Sequence, residues 1–347
     1  MALDPREVVH LNRASAAKMV EKLGVARTTA LLKNAAEDLS GKLSSTMGGD
    51  RTFTRAQAES TLAQVKMILG DLTGGMERNI LGVGQDLAEQ AAGDTIDYME
   101  RADAEFRGTG AKPLNLDEAL VFDRAVQGSR ASILSRLLGK KPKDEKKTGD
   151  APKPTKEEEG TKKQKGGILS RYTEASIGHF EEVLQHGILT GKSTMEMRDK
   201  LREKSPFLAG APKSWAERIV RTELMGAYGR GSWEAGREAD EQTDDIVKIL
   251  SSIFDDRTGA DSYAVHGQIR RPDEPFETWF GLVQHPPDRP NDRGVVVNYR
   301  IAWKLQPYLT AKSPAEIAAR WKQEKRKGKH PPQPRVTTVP LSRFGNG

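Results

Sequence analysis

The sequence predicts an α+β protein, with a mainly α-helical N-terminal region followed by a small α+β C-terminal domain. Three observations carry this. Apolar residues recur at three- and four-residue spacing through the first 138 residues. Residues 139–167 contain no large apolar side chain. β-branched runs suited to strands, at 246–254 and 295–297, come only near the end.

Asp4, Pro5 and Glu7 resemble a capping-box start, and helix is expected through much of 5–46, with a break near Gly24. Thr54 with Gln57 opens the next helix, and Leu62, Val65, Ile68, Leu69 and Leu72 form its apolar face. Gly74-Gly75 predicts an interruption before the pattern from Met76 to Phe106 resumes. Asn115-Leu116-Asp117 then opens a segment with Leu120, Val121, Ala125, Ile133, Leu134 and Leu138 apolar.

Residues 139–167 hold ten lysines and six acids. Such a composition buries too little surface to offset its ordering entropy, so a charged flexible linker is expected. The predicted organisation is a helical region at 1–138, this linker, a domain at 168–310, and a short helix with a basic tail at 311–347.

After the linker, Ile168, Tyr172, Ile177, Phe180, Val183, Leu184 and Ile188 predict a helix ending at Gly187–Gly191. Ser193 with Glu196 opens a short helix, and Ser214 with Glu217 opens one reaching about Glu238. A strand over 246–254 leads to a turn at Asp255-Asp256-Arg257-Thr258-Gly259, where Thr258 is placed to cap a short helix ending at His266-Gly267. Short strands follow at Ile269 and at 278–283. Residues 285–292, rich in proline, must be loop. A strand from Val295 toward Trp303 and a helix from Pro314 through Trp321 complete the pattern.

Lys plus Arg number 55 against 49 Asp plus Glu, and the excess of six is uneven. From Arg320 onward eight basic residues face one acid, Glu324. Arg320, Lys322, Lys325, Arg326, Lys327 and Lys329 are therefore candidates for non-specific contact with double-stranded DNA. Without cysteine, disulfides and thiolate metal sites are excluded. Met1 to Arg6 is followed by no apolar core of signal-peptide type, and no membrane-spanning segment is expected; synthesis in a host cytoplasm is. The five tryptophans, at 215, 233, 279, 303 and 321, suit core or interface anchoring.

In the helix from residue 214, Val220, Leu224, Ala227, Tyr228 and Gly231 share one face. Arg221 lies about 100° to one side of Val220 and Glu223 about 60° to the other. They point apart, so each needs a partner elsewhere, with Glu217 available to Arg221 one turn back. Both are expected to brace a core rather than form a reaction centre.

This helix, with Arg221-Thr222-Glu223, resembles the central helix of the Mu F-like minor head proteins of phages. Asp256-Arg257-Thr258, then His266-Gly267, then the loop containing Pro287 and Asn291, follow in that family's order. Gly187-Ile188 and Gly191-Lys192-Ser193 resemble its lead-in. The resemblance covers roughly 168–305. Many relatives carry Asn-Cys-Arg-Cys where this chain has Asn291-Asp292-Arg293-Gly294, so Arg293 is the transferable part. The resemblance implies a virion component at the head interior or portal vertex, acting in head assembly, DNA packaging or DNA delivery. It implies the portal protein as partner, with scaffold or major capsid protein as further ones.

No catalytic residue, metal or cofactor is expected. No phosphate-binding loop or nucleophile elbow occurs, and Gly82-Val83-Gly84 lacks the strand that a dinucleotide site needs. The alternatives are a metal-dependent nuclease using Asp255, Asp256, His266 and His285, and a non-specific DNA-binding protein using the tail.

Overall fold

The computed structural model describes residues 5–47, 52, 54–139, 167–204, 212–252, 254, 258–278, 281–287, 289, 292–303 and 314–326. Within these the fold is α+β. The helices are α1 (Pro5–Met19), α2 (Ala26–Thr46), α3 (Arg55–Phe106), α4 (Glu118–Leu138), α5 (Ile168–Leu189), α6 (Thr194–Lys204), α7 (Pro212–Thr243), α8 (Ala260–Val265) and α9 (Pro314–Arg326). The strands are β1 (Ile246–Ser251), β2 (Ile269–Arg270), β3 (Phe276–Thr278), β4 (Gly281–Val283) and β5 (Val295–Arg300).

Local chemistry sets most boundaries. Gln57 Oε1 accepts from the Thr54 N–H at 2.9 Å, and Thr54 Oγ1 accepts from the Gln57 N–H at 3.3 Å, closing the box that starts α3. Ser193 and Glu196 close the same box ahead of α6, at 2.9 and 3.3 Å. Asp117 Oδ1 takes the Leu120 N–H at 3.1 Å and starts α4. The Asp4 capping proposal lies outside the described residues, as do Asp255, Asp256, Arg257 and Asn291.

Three expectations are corrected. Gly74-Gly75 does not interrupt α3, which runs unbroken over 52 residues. Two helical glycines cost about 2 kcal/mol in propensity, and packing outweighs that here. A β-carbon at Gly75 would press on Leu31 of α2 at 3.2 Å, so the glycine serves close contact between the two helices. Second, α7 begins at Pro212, ahead of the Ser214–Glu217 pair, because proline suits the first helical position. Third, Thr258 does not cap α8. Gly259 holds the cap position without a side-chain bond, and Thr258 is buried. The expected break near Gly24 is a change of winding, a π-helical turn over Val20–Val25 joining α1 to α2.

The contacts divide the chain into two compact units, each assembled from segments distant in sequence. One comprises 26–81 and 130–217 and is helical. Leu32, Leu39, Leu43, Leu69, Phe180 and Leu184 are buried in it. Thr73 and Thr173 share a hydrogen bond at 2.7 Å, Lys66 pairs with Glu181 at 3.1 Å, and Tyr172 stacks on Trp215 at 4.1 Å.

The other unit comprises 1–25, 82–129 and 218–347, and it holds the sheets. β1 lies between β2 and β5, antiparallel to both, and every residue of β1 and β5 is buried. Helices cover both faces, which explains the continuous apolar run in β5. On one face α1 lies along β5, and His10 bonds Ser251 at 3.1 Å. On the other, α7 presents the Ser232 carbonyl to Asn298 Nδ2 at 2.8 Å. α3 seals the open edge of β5. The Tyr98 hydroxyl donates to the Asn298 carbonyl and accepts its N–H, both at 2.8 Å. α3 and α7 meet where Gly231 faces Ala88. A β-carbon at Gly231 would stand 2.0 Å from the Ala88 carbonyl oxygen. Thus the first 138 residues are not a block separate from the strands. α1 and the second half of α3 complete the sheet's burial.

Candidate functional site

The motif helix α7 places its residues in different settings. Glu223 is buried, as its flank of the apolar face requires. Thr222 turns its hydroxyl back to the Arg218 carbonyl at 2.7 Å. Arg221 does not brace the core. Its side chain is 38% exposed and its Nη2 donates to Glu21 Oε2 at 3.1 Å, in the π-helical turn. The turn can approach because residue 24 is glycine. A β-carbon there would meet Leu224 at 2.2 Å. An extra residue of winding in the turn and a glycine against α7 bring Glu21 to Arg221, a pairing the sequence does not signal.

Arg221 and Thr222 line a cleft of about 650 Å³. Arg13 and Ala17 of α1, with Val20 and Glu21 of the π-helical turn, form one side. Asp292, Arg293 and Met225 complete the lining. Arg13 is only 7% exposed, and its Nε is buried with no hydrogen-bond partner. Burial lowers its guanidinium to about 10, with Asp292 pulling the other way and Arg293 adding to the fall. Three guanidinium groups therefore converge where the sequence marked two, Arg221 and Arg293. Arg13 was missed because nothing in α1 distinguishes it from a solvent-facing arginine.

The loop residues serve as ties. Arg289 pairs with Asp261 at 2.6 Å and donates to Ser262 Oγ at 2.7 Å, fixing the proline-rich loop to α8. Arg293 Nη2 donates to Thr258 Oγ1 at 3.4 Å. Pro287 is buried, following a cis bond from Pro286. His266 ends α8. Its Nδ1 accepts the Ser252 N–H at 3.0 Å, and Gly267 takes positive φ and donates to the Leu250 carbonyl at 2.8 Å. His285 Nδ1 bonds the Pro286 carbonyl at 3.0 Å. Among the described residues, no three His, Asp or Glu side chains are placed to share a metal ion.

Comparison with family models falls on this region. Residues 178–297 match the family described as Phage Mu protein F like protein. The match lies inside the stretch over which the motifs ran, so the resemblance holds there. Comparison with curated proteins and with solved structures gives no match. The Mu F-like segment begins within α5, takes in α6, α7, α8 and β1 through β4, and ends within β5. It includes the α7 and loop walls of the cleft, whereas Arg13 and Glu21 lie before it.

Two polar groups within or beside the Mu F-like segment escaped the sequence reading. Lys248 on β1 is fully buried. Its Nζ donates to the Pro272 carbonyl at 3.1 Å, the Gln284 carbonyl at 3.0 Å and Gln284 Oε1 at 2.7 Å. It also faces the rings of Phe276 and Trp233, at 4.9 and 5.9 Å. Burial lowers its ammonium to about 7. Glu234 on α7 is buried between Arg230 and Arg237, at 2.9 and 3.0 Å. Both arginines lie over Trp233. The signal available was a charged residue at a position of buried periodicity.

The basic C-terminal candidates divide. Arg320 on α9 turns inward, with Nε donating to the Thr258 carbonyl at 2.7 Å, while Lys322 and Arg326 are exposed. The side chains of Lys325, Lys327 and Lys329 lie outside the described residues. No described helix is long and apolar enough to cross a membrane.

Proposed function

We propose that this chain is a minor head protein of a phage or phage-derived particle, a structural part rather than an enzyme. It acts at the portal vertex or head interior during assembly, DNA packaging or DNA delivery. The observation that carries the reading is the Mu F-like match over 178–297 together with the order of its motifs. The roles of the motif residues favour architecture. His266 Nδ1 is already committed to the Ser252 N–H, Arg289 to Asp261, and Arg293 to Thr258. These bonds suit a part that must keep its shape within an assembly.

The partners proposed are the portal protein, with scaffold or major capsid protein as further ones. Because α1 and half of α3 complete the sheet, docking is read as a property of the whole chain, and no segment is expected to bind alone. The basic tail is proposed to touch double-stranded DNA non-specifically, with the exposed Lys322 and Arg326 among its contacts.

The test is made on particles. Heads purified from cells expressing the chain with its phage's head genes should contain it in few copies, by quantitative mass spectrometry. Heads from cells lacking it should be fewer, or should deliver DNA poorly. Absence from purified heads, with yield and delivery unchanged when the chain is removed, overturns the reading. Plasmid cleavage by the purified chain with Mg²⁺ or Mn²⁺ would favour the nuclease alternative.

A further inference from the structure

We infer that the cleft between the α1 end and α7 binds a carboxylate group presented by an acidic peptide segment of another protein chain. Arg13 is the first reason. A cation that is 7% exposed has lost most of its hydration, and its buried Nε–H has no acceptor. Such a group costs stability unless an anion and hydrogen bonds compensate it. In the free chain it has the field of Asp292, opposed by that of Arg293. Arg13 also lines the cleft, so a carboxylate seated there lies beside the guanidinium and supplies the missing charge compensation.

Charge and shape select the ligand. Three guanidinium groups, of Arg13, Arg221 and Arg293, share the cleft with the carboxylates of Glu21 and Asp292. Glu21 and Asp292 disfavour a second negative charge beside them, so a carboxylate suits the cleft better than a phosphate dianion. The two acids also repel a polyanion passing over the rim. A duplex presents its phosphates on a broad convex surface and does not reach a recessed arginine. The apolar wall of Val20 and Met225 suits the aliphatic atoms that precede a side-chain carboxylate. The volume of about 650 Å³ lies within the range of small-ligand sites.

Arg221 can move to meet the ligand. Its pair with Glu21 is 38% and 50% exposed, and water and salt screen such exposed pairs. Exchanging Glu21 for an incoming carboxylate therefore costs little. The chemistry of the cleft stands apart from the head-assembly reading. Only assigning the acidic segment to another head component rests on it.

The test uses the full chain and a fluorescently labelled six-residue peptide with a central glutamate between leucines. Its glutamine counterpart and inorganic phosphate serve as comparisons. By fluorescence anisotropy, the glutamate peptide should bind about tenfold or more tightly than the glutamine one. Phosphate should displace it only at higher concentration than unlabelled glutamate peptide. Arg13→Leu should abolish the preference for glutamate while leaving the melting temperature unchanged or raised. Should Arg13→Leu fail to fold, Arg221→Leu on the exposed rim should still weaken the glutamate peptide selectively. No binding of the glutamate peptide, equal binding of both peptides, stronger displacement by phosphate, or an unaffected preference in the folded arginine variants overturns the proposal. Because binding is read on the purified chain, its failure is distinct from failure of the chain to enter heads.

Discussion

Asp103 and Arg300 meet at 2.6 Å with side chains only 3% and 2% exposed, although 197 positions separate them in the chain. Each is fully engaged. Asp103 Oδ1 also accepts Trp303 Nε1, and Oδ2 accepts the Leu114 N–H and Arg107 Nη1. Arg300 Nη1 also donates to the Lys112 carbonyl, and its Nε donates to Asp245. The pair joins α3, the segment after it, and β5 into one unit. Burial pushes the Asp103 carboxyl up, but the Leu114 N–H, Arg300 and Trp303 hold it below the usual carboxylate range.

Asp103→Ala should destabilise the chain by about 3–5 kcal/mol, because it takes one of two carboxylates from a buried guanidinium and strands the Leu114 and Trp303 N–H groups. The double variant Asp103→Ala with Arg300→Met should lose much less than the sum of the single losses. Urea unfolding of the four proteins gives the coupling directly. Additive losses would show that the two side chains do not act as a pair.

The depressed Asp103 carboxyl also sets a pH dependence. The unfolded chain binds the proton more readily than the folded one, so this contribution is present above about pH 4 and is lost as pH falls through the folded value. Asp103→Asn should flatten the acid limb of stability against pH in thermal melts. An unchanged limb would assign it to other carboxylates.

Lys248 gives the opposite limb. Its folded ammonium is lowered to about 7 by burial, while the unfolded value stays near 10.4. Between these the unfolded chain holds more protons, so stability rises with pH from about 7 toward 10. Between pH 7 and 9 this raises the melting temperature of the wild type by about 5 °C more than that of Lys248→Met. Parallel curves for the two proteins would contradict it.

Tyr98→Phe removes one oxygen and strands two buried backbone groups of Asn298, which should cost about 2 kcal/mol. Hydrogen exchange should show the Asn298 amide losing protection along with the rest of β5. Protection equal to wild type would mean another group closes that edge.

Gly231→Ala places a methyl group against the Ala88 carbonyl oxygen, and two packed helix backbones yield little. A loss of about 1–3 kcal/mol is expected in urea unfolding. Gly41→Ala on α2, where a β-carbon meets open space, should be neutral or stabilising by about 1 kcal/mol. Equal effects at the two positions would rule out close approach as the reason for Gly231.

Much of the local structure was legible because its causes lie within one turn of helix. Thr54–Gln57, Ser193–Glu196 and Asp117 announced their helices through side chains that reach their own backbone three residues away. The order of α7, His266-Gly267 and the proline-rich loop pointed to the Mu F-like segment. Gly74-Gly75 misled because its helix-breaking tendency is local, while the contact that overrides it comes from Leu31 on another helix. Helical geometry turned Arg221 away from Glu223 and required a partner from another element, but it could not name Glu21, which is 200 positions away.

The sequence by itself determined the α+β class, most helix starts, the late strands and a resemblance to Mu F-like proteins over roughly 168–305, within which 178–297 match that family's model. Capping, apolar period and β-branching act over a few residues, so they are written in the order of the letters. Only the tertiary structure decided that Asp103 faces Arg300, that Tyr98 closes the edge of β5, and that Arg13 shares a cleft with Arg221 and Arg293. Those pairings are set by which charges lose water together when distant helices pack, and no short-range pattern records that.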